Sequence, residues 1–192
     1  DGWIGLLESR EDVRTILSMD QDIDLLIPRG SNAFVRHIMD HSRIPVLGHA
    51  DGICHVYLDA AADPGMAVSV TVDSKTQYVA VCNACETLLV HAAAAPVLLP
   101  PVAAALRERG VTLLGCPRTV ALVGCEPATE EDWRTEYLDY RLSVRIVDSL
   151  EEAVDHIHRY GSGHTEAIVT SDRDAAARFL SMVDAGNVFW NC

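Results

Sequence analysis

A tetrapeptide near the middle of the chain, Cys82-Asn83-Ala84-Cys85, has the residue types of a nucleophilic site. Its first cysteine follows an apolar stretch and a polar loop, and a helical turn starting there would point free backbone N–H groups at the sulfur. Such groups would lower the pKa of the thiol and bind a developing oxyanion, which suits a nucleophile in acyl transfer. Free cysteines are also among the most buried residues in proteins, so a structural role for Cys82 stays open.

The Cys82-x-x-Cys85 spacing also suits a redox pair or half of a zinc site. Cys54 and His55 are candidates for the remaining zinc ligands, but adjacent residues of a strand point to opposite faces of the sheet. A redox dithiol needs a strand that leads into a long helix, whereas a strand-like run follows Cys85. We therefore predict no metal site and rank a zinc-binding module below a thiol enzyme.

Two loops are candidates for binding a cofactor or transferring a proton. Residues 28–32, Pro-Arg-Gly-Ser-Asn, lie between a predicted strand and a predicted helix, where backbone N–H groups can bind an anion. This segment lacks the Gly-x-Gly-x-x-Gly pattern, so an ordinary turn is the alternative. The glycine-rich residues 48–52 form either an active-site loop, with His49 as acid or base, or another turn.

Isolated ionisable residues give weaker indications. Lys75 is the only lysine of the chain and lies shortly before Cys82, where a cation could bind phosphate or lower the thiol pKa. A lysine in a surface loop is the alternative. His156 and His158 lie two residues apart on a predicted helix and do not share a face, which favours a solvated helix over a joint metal site.

The composition excludes some classes of function. Asp and Glu (28) outnumber Lys and Arg (15), and the net charge of −13 argues against binding to nucleic acid. No apolar run is long enough for a membrane helix, and the N-terminus lacks the pattern of a signal peptide. Six irregularly spaced cysteines favour a reducing, cytoplasmic setting. The missing initiator methionine indicates a chain that begins partway through a gene product.

Strand and helix patterns alternate along the sequence, which predicts an α/β fold with a parallel sheet. The predicted strands cover residues 24–27, 44–47, 54–58, 87–91, 111–114, 119–123, 144–147, 167–170 and 187–190. The predicted helices cover residues 33–40, 63–73, 94–109, 150–160 and 171–183. Ser31 or Asn32 can cap the first of these helices, Pro64 lies in the first turn of the second, and Ser149 caps the helix at 150–160.

Four stretches, residues 24–31, 44–57, 82–91 and 155–191, together resemble the gamma-glutamyl phosphate reductases, a branch of the aldehyde dehydrogenase superfamily. They run in the family's order, cover nearly the whole chain and are most similar to the reductase half of bifunctional delta-1-pyrroline-5-carboxylate synthases. The resemblance implies an aldehyde dehydrogenase-like fold that is truncated at both ends. Residues 1–52 would be the end of an NADPH-binding domain, and residues 53–192 an incomplete catalytic thiol domain.

The resemblance also implies a reaction in proline biosynthesis. Cys82 would attack gamma-glutamyl phosphate and expel phosphate, and NADPH would reduce the thioester to glutamate 5-semialdehyde. The intact protein would form homo-oligomers and could carry a fused glutamate kinase domain. By the same resemblance, Asn83 and Asn191 bind the substrate. The implied cofactor-binding residues are Pro28, Arg29, Gly30, Ser31, Gly48, His49 and Glu136.

One difference from acid-forming aldehyde dehydrogenases fits a reductase. Those enzymes carry a glutamate base in the loop that is Leu47-Gly48-His49 here, and its loss avoids hydrolysis of the thioester. Cys85 departs from the usual Leu or Met, and oxidation could join it to Cys82 and block catalysis. Cys192 replaces the usual Ala, and Val-Ala-Val at 79–81 replaces Pro-Ala-Ala. Two other functions stay open: a coenzyme A-acylating aldehyde dehydrogenase and a non-catalytic or inactive member of the family.

Overall fold

A computed structural model describes residues 4–48 and 51–192, and the chain divides into two compact units, residues 1–51 and residues 52–192. The first unit contains helices α1 (Arg10–Ile16) and α2 (Asn32–His41). Ser31 caps α2, since its hydroxyl accepts a hydrogen bond from the Phe34 N–H, as predicted. The assignment of this unit to a nucleotide-binding domain stays a prediction.

The predicted strands 24–27 and 44–47 are wrong as regular strands. They meet in a single parallel bridge between Leu26 and Val46. The Leu26 N–H donates to the Pro45 carbonyl at 2.9 Å, and the Leu47 N–H donates to the Leu26 carbonyl at 2.8 Å. Pro28 and Pro45 have no N–H to donate, so the ladder cannot extend past this bridge.

The second unit is built on a seven-stranded sheet in which every neighbouring pair of strands is parallel, as predicted. The strand order is β4-β3-β5-β2-β1-β6-β7. The strands are β1 (Cys54–Leu58), β2 (Cys85–His91), β3 (Thr112–Gly115), β4 (Glu126–Pro127), β5 (Arg141–Val147), β6 (Thr165–Val169) and β7 (Asn187–Trp190).

Helices cover both faces of this sheet and bury two apolar cores. The helices are α3 (Pro64–Thr76), α4 (Ala95–Glu108), α5 (Pro117–Val123), α6 (Leu150–Tyr160) and α7 (Arg173–Met182). One core includes Leu98, Leu99 and Val102 of α4, and the other includes Ile157 of α6 and Phe179 of α7. The α/β class predicted from the sequence is confirmed. Among the described residues, no helix combines the length and the apolar character that a membrane crossing needs.

The predicted strand 119–123 is wrong, because these residues belong to helix α5. Pro117 occupies the start of this helix, where its fixed φ is favourable and its missing N–H is not needed. Gly124 ends it with a left-handed φ of 60°. Thr119, Val120 and Val123 have strand propensity, but these two helix boundaries override it.

Candidate active site

Cys82 lies in a tight turn directly before strand β2. The Ala84 N–H donates to the Val81 carbonyl at 3.0 Å, which makes Cys82 and Asn83 the two central residues of a β-turn. The helical turn considered as one way to activate Cys82 is therefore replaced by a β-turn. The turn still exposes both residues to solvent, so the Cys82 thiol is accessible.

The turn also leaves hydrogen-bond donors available beside the thiol. Within residues 4–48 and 51–192, the backbone N–H groups of Cys82 and Asn83 have no hydrogen-bond partner. Unpaired N–H groups next to a nucleophile can bind the oxygen of a tetrahedral intermediate. The chemistry first expected from a helix start is thus supported by a different backbone geometry.

Gly52 lies against the backbone of Cys82 and the side chain of Glu136. A β-carbon added at Gly52 would lie 2.0 Å from the Cys82 carbonyl oxygen and 2.7 Å from Glu136 Oε1. Any larger residue would therefore push the Cys82 turn out of place. The sequence placed Gly52 in a glycine-rich loop. Its close approach to Cys82, 30 positions away, is visible only in the structure.

The two cysteines nearest to the turn are buried. The Cys54 thiol donates to the Cys82 carbonyl at 3.4 Å, and burial raises its pKa. Burial also raises the pKa of the Cys85 thiol, to about 12. Cys85 faces the core and donates to the Thr87 carbonyl at 3.4 Å, so this geometry does not favour a disulfide with the exposed Cys82. Both neighbours are suited to packing, whereas Cys82 is suited to reaction.

Lys75 does not lie in a surface loop, and the expectation of a phosphate-binding cation is wrong. It belongs to α3, its side chain is fully buried, and its Nζ donates to Glu86 Oε2 at 2.7 Å. The second oxygen of Glu86 accepts a hydrogen bond from the Leu138 N–H at 3.2 Å. Burial raises the pKa of Glu86 to about 7, and the Lys75 charge opposes that rise. An acidic residue at the start of an apolar strand was the signal that could have identified Glu86.

A cleft of about 260 Å³ opens beside the Cys82 turn. Asn83 lines it from the turn, and Tyr78 lines it from the segment just before the turn. Asp73 and Gln77 line it from the end of α3, and Phe189 from β7. Asn83 is thus the predicted substrate-binding residue that the structure places at the Cys82 site. Its role in binding substrate stays a prediction.

Asn191 is not brought to Cys82. Its side-chain oxygen accepts from the Thr170 N–H at 2.9 Å, and its side-chain nitrogen donates to the Thr170 carbonyl at 3.0 Å. Thr170 follows the carboxyl end of β6, whereas Cys82 precedes the amino end of β2. Because the strands are parallel, these residues lie at opposite edges of the sheet, about 15 Å apart along the strand direction. Substrate binding by Asn191 stays a prediction.

The predicted cofactor residues of the first unit form the approach to α2. Pro28 is half-buried, Arg29 is exposed, and Ser31 caps the helix. Gly30 has a φ of 153°, and a β-carbon there would lie 2.9 Å from the Phe34 ring. This exposed helix start with a neighbouring cation is suited to an anionic group.

Two further cofactor predictions fall at the end of the first unit. Gly48 packs against α2, since a β-carbon there would lie 3.1 Å from the Met39 sulfur and 3.2 Å from Val35 Cγ1. His49 lies outside the described residues, and its part in the site stays a prediction.

His156 is not on a solvated helix face, which corrects the interpretation from the sequence. It is buried against His55 and Trp133, while His158 is exposed, so the two histidines of α6 indeed face different ways. Burial lowers the pKa of His156 to about 2, which keeps the ring neutral.

His55 Nδ1 pairs with Glu166 Oε2 at 2.9 Å. In the described part of the chain, no group of three or more His, Cys, Asp or Glu side chains is placed to hold a metal ion.

The chain is similar over nearly its whole length to proteins named gamma-glutamyl phosphate reductase. It is 63% identical over 190 residues to the one from Acetivibrio thermocellus, a match that covers 99% of this chain and 44% of that relative. The crystal structure of gamma-glutamyl phosphate reductase from Thermotoga maritima matches with a TM-score of 0.92 and 38% identity, covering 96% of this chain and 45% of that chain. The chain therefore spans a little under half the length of these relatives. The resemblance predicted from the sequence is confirmed.

More distant solved structures show a likeness of fold alone. An NADP-dependent glyceraldehyde-3-phosphate dehydrogenase from Bacillus halodurans, solved in complex with NADP, matches with a TM-score of 0.74 at 18% identity. The match covers 97% of this chain and 48% of that chain. The predicted aldehyde dehydrogenase-like fold is thus confirmed. No family model matches the chain.

Proposed function

We propose that this chain, which corresponds in sequence to the thiol-bearing part of the gamma-glutamyl phosphate reductases, supplies the nucleophile for reduction of gamma-glutamyl phosphate to glutamate 5-semialdehyde. The observation that carries the proposal is the exposed thiol of Cys82, set in a turn whose two central N–H groups are free within the described residues. The likeness to reductases over 99% of the chain supports the choice of substrate.

The Cys82 sulfur, as its thiolate, attacks the acyl carbon, and the bond from that carbon to the phosphate oxygen breaks. Phosphate leaves with the electron pair of that bond, and a gamma-glutamyl thioester stays on the sulfur. The N–H groups of Cys82 and Asn83 donate to the oxygen that becomes negative in the tetrahedral intermediate. NADPH, when bound, supplies the hydride that turns the thioester into the aldehyde and frees the thiolate.

Each unit, taken by itself, contains residues that are suited to one part of a nicotinamide nucleotide. The Glu136 carboxylate lies at the same glycine as the Cys82 backbone, where it can accept hydrogen bonds from ribose hydroxyls beside the reacting carbon. Arg29 is exposed just before the start of α2, where it can pair with phosphate. The loop Leu47-Gly48-His49 lacks the glutamate base of acid-forming aldehyde dehydrogenases, and by the resemblance this loss would avoid hydrolysis of the thioester. NADPH, rather than NADH, is the nucleotide we propose.

Two alternatives differ from this proposal by chemistry that can be measured. A coenzyme A-acylating aldehyde dehydrogenase would release the thioester to a thiol, and a non-catalytic member of the family would form no thioester. Oligomer formation, a cytoplasmic location and a fused glutamate kinase stay predictions of the resemblance.

The test is the reverse reaction in the complete polypeptide that carries this chain. Glutamate 5-semialdehyde and NADP⁺ should yield NADPH at a rate that depends on added phosphate and not on coenzyme A. A rate that depends on coenzyme A and ignores phosphate would contradict the proposal, as would the absence of any NADPH production.

Substitution of Gly52 by alanine should lower kcat in this assay by about 100-fold while the protein stays folded, because displacing a nucleophile by about 1 Å costs about that much. The added β-carbon would displace the Cys82 carbonyl, which lies 2.0 Å from its position. Gly186→Ala is the matched control, since its β-carbon would meet nothing closer than 3.4 Å. A G52A variant as active as G186A would show that the turn tolerates the shift.

A further inference from the structure

The ion pair between Lys75 and Glu86 is costly to bury and needs a reason. Both side chains are almost fully buried, at 0% and 1% exposed. A buried ion pair often contributes less to stability than apolar residues of the same size would. Its presence at the start of β2, four residues after Cys82, therefore indicates a requirement other than stability.

Glu86 holds a strained segment of backbone. Its Oε1 accepts from the Leu138 N–H at 3.2 Å, and Leu138 has a φ of 52°. A left-handed conformation is unfavourable for leucine and persists only where neighbouring groups enforce it. Leu138 itself is exposed, at 41%, so packing of its side chain is a weak constraint. The hydrogen bond to Glu86 is a contact of the Leu138 backbone itself, next to Tyr137, whose hydroxyl bonds with Asp132 and Ser143.

The segment that contains Leu138 also contains Glu136, which lies near the Cys82 turn at Gly52. Glu136 precedes Leu138 by two residues, and its Oε1 approaches the same glycine, Gly52, as the Cys82 carbonyl oxygen. Glu86 itself follows Cys82 by four residues, at the start of β2. One side chain thus links the strand that begins after the thiol to the segment that holds the neighbouring carboxylate.

We propose that Glu86 is a positioning residue, which fixes Glu136 against the Cys82 turn through the Leu138 N–H, while Lys75 compensates its buried charge. The catalytic consequence of this positioning rests on the proposed function, in which Glu136 holds the nicotinamide ribose beside the thioester. The link from Glu86 through the Leu138 N–H to the position of Glu136 does not depend on that function and is tested without substrate or nucleotide.

The decisive comparison is between K75M/E86Q and K75M/E86M in the complete polypeptide that carries this chain. Both variants remove the two buried charges and keep similar side-chain volumes, but only glutamine retains an oxygen that can accept the Leu138 N–H. The K75M/E86M variant should exchange the Leu138 amide hydrogen roughly 10-fold faster than K75M/E86Q, as expected for the loss of one hydrogen bond to a buried group. The rate at which iodoacetamide alkylates Cys82 should also differ from that of wild type in K75M/E86M. In K75M/E86Q this rate should equal that of wild type.

E86D provides a second variant in case K75M/E86M does not fold. Aspartate keeps the charge for the flexible Lys75 side chain but withdraws the carboxylate by about 1.5 Å, one carbon–carbon bond. E86D should therefore also lose Leu138 protection and change Cys82 alkylation. The inference would be overturned if K75M/E86M, or E86D in its place, showed the same Leu138 exchange rate and the same Cys82 alkylation rate as K75M/E86Q.

The same variants separate this inference from the proposed function. If wild type lacks phosphate-dependent activity, the proposed function fails, while exchange at Leu138 and alkylation at Cys82 still decide the positioning role. If wild type is active, K75M/E86M should lose kcat and K75M/E86Q should recover it, at equal unfolding midpoints. Loss of kcat in both variants alike would contradict a positioning role for the Glu86 oxygen.

Discussion

Replacement of Cys82 by serine should lower kcat for phosphate-dependent oxidation of glutamate 5-semialdehyde by about 10⁴-fold, the scale on which loss of a covalent nucleophile acts. Serine has nearly the same size and keeps the turn, but its hydroxyl is a far weaker nucleophile at neutral pH. Because Cys82 is exposed, the variant should fold with the stability of the wild type. The assay is NADPH formation at saturating phosphate, with the unfolding midpoint measured in parallel.

Cys125→Ala is the control for this variant. Cys125 is half-buried next to the edge strand β4, three strands away from the β2 strand that follows the Cys82 turn, so its loss should leave kcat unchanged. A C82S enzyme within 10-fold of wild type would mean that another group attacks the acyl carbon.

Replacement of Lys75 by methionine should destabilise the fold by about 3–5 kcal/mol above neutral pH, because it leaves the buried Glu86 carboxylate without a counter-charge. Burial already raises the pKa of Glu86 to about 7, and Lys75 holds it from rising further. In K75M the folded-state pKa therefore lies higher still, while the carboxyl of the unfolded chain keeps its ordinary value of 4.5.

The sign of the pH dependence follows from these two values. Between the unfolded and folded pKa values, the folded protein holds a proton on Glu86 that the unfolded chain releases. The associated stability is complete below the unfolded pKa and is lost as the pH rises through the folded pKa. The K75M penalty should thus be largest at pH 8 to 9 and shrink toward pH 5, as measured by urea unfolding at each pH.

Two controls isolate the buried charge. K75M/E86Q carries no carboxyl at position 86 and should lose this pH dependence. Arg159→Met removes the cation of an exposed pair with Glu130, in which both side chains are more than 60% exposed, so it should cost at most about 1 kcal/mol. A K75M penalty as small as that of R159M, or one that does not vary with pH, would contradict a buried ionised Glu86.

The parts of the fold that local sequence determines were predicted well. Helix α6 was predicted at its observed bounds, because Ser149 caps it and its apolar residues recur with helical spacing. Strands β1 and β7 were also predicted at their observed bounds. Helix α5 was missed because short β-branched runs carry no reliable period and its proline and glycine boundaries decide the structure.

The site was only partly predictable, because several of its contacts join residues that are far apart in the sequence. The residues alone made Cys82 a candidate nucleophile, and the resemblance added Asn83 and Glu136 as candidates. The turn geometry, the Gly52 contact and the Glu86 link to Leu138 join residues that lie 30 to 52 positions apart or depend on one backbone conformation. No local pattern encodes such contacts, and the burial of Lys75 reversed the role expected from its position.

The central claim, that Cys82 carries the acyl group, is tested most directly by trapping the intermediate. The complete polypeptide would be mixed with glutamate 5-semialdehyde and NADP⁺ without phosphate, quenched in acid, digested and analysed by mass spectrometry. We expect a gamma-glutamyl thioester on Cys82, which forms together with NADPH and disappears when phosphate is added before the quench. A thioester on another cysteine, or NADPH formation without any adduct on Cys82, would show that Cys82 is not the nucleophile.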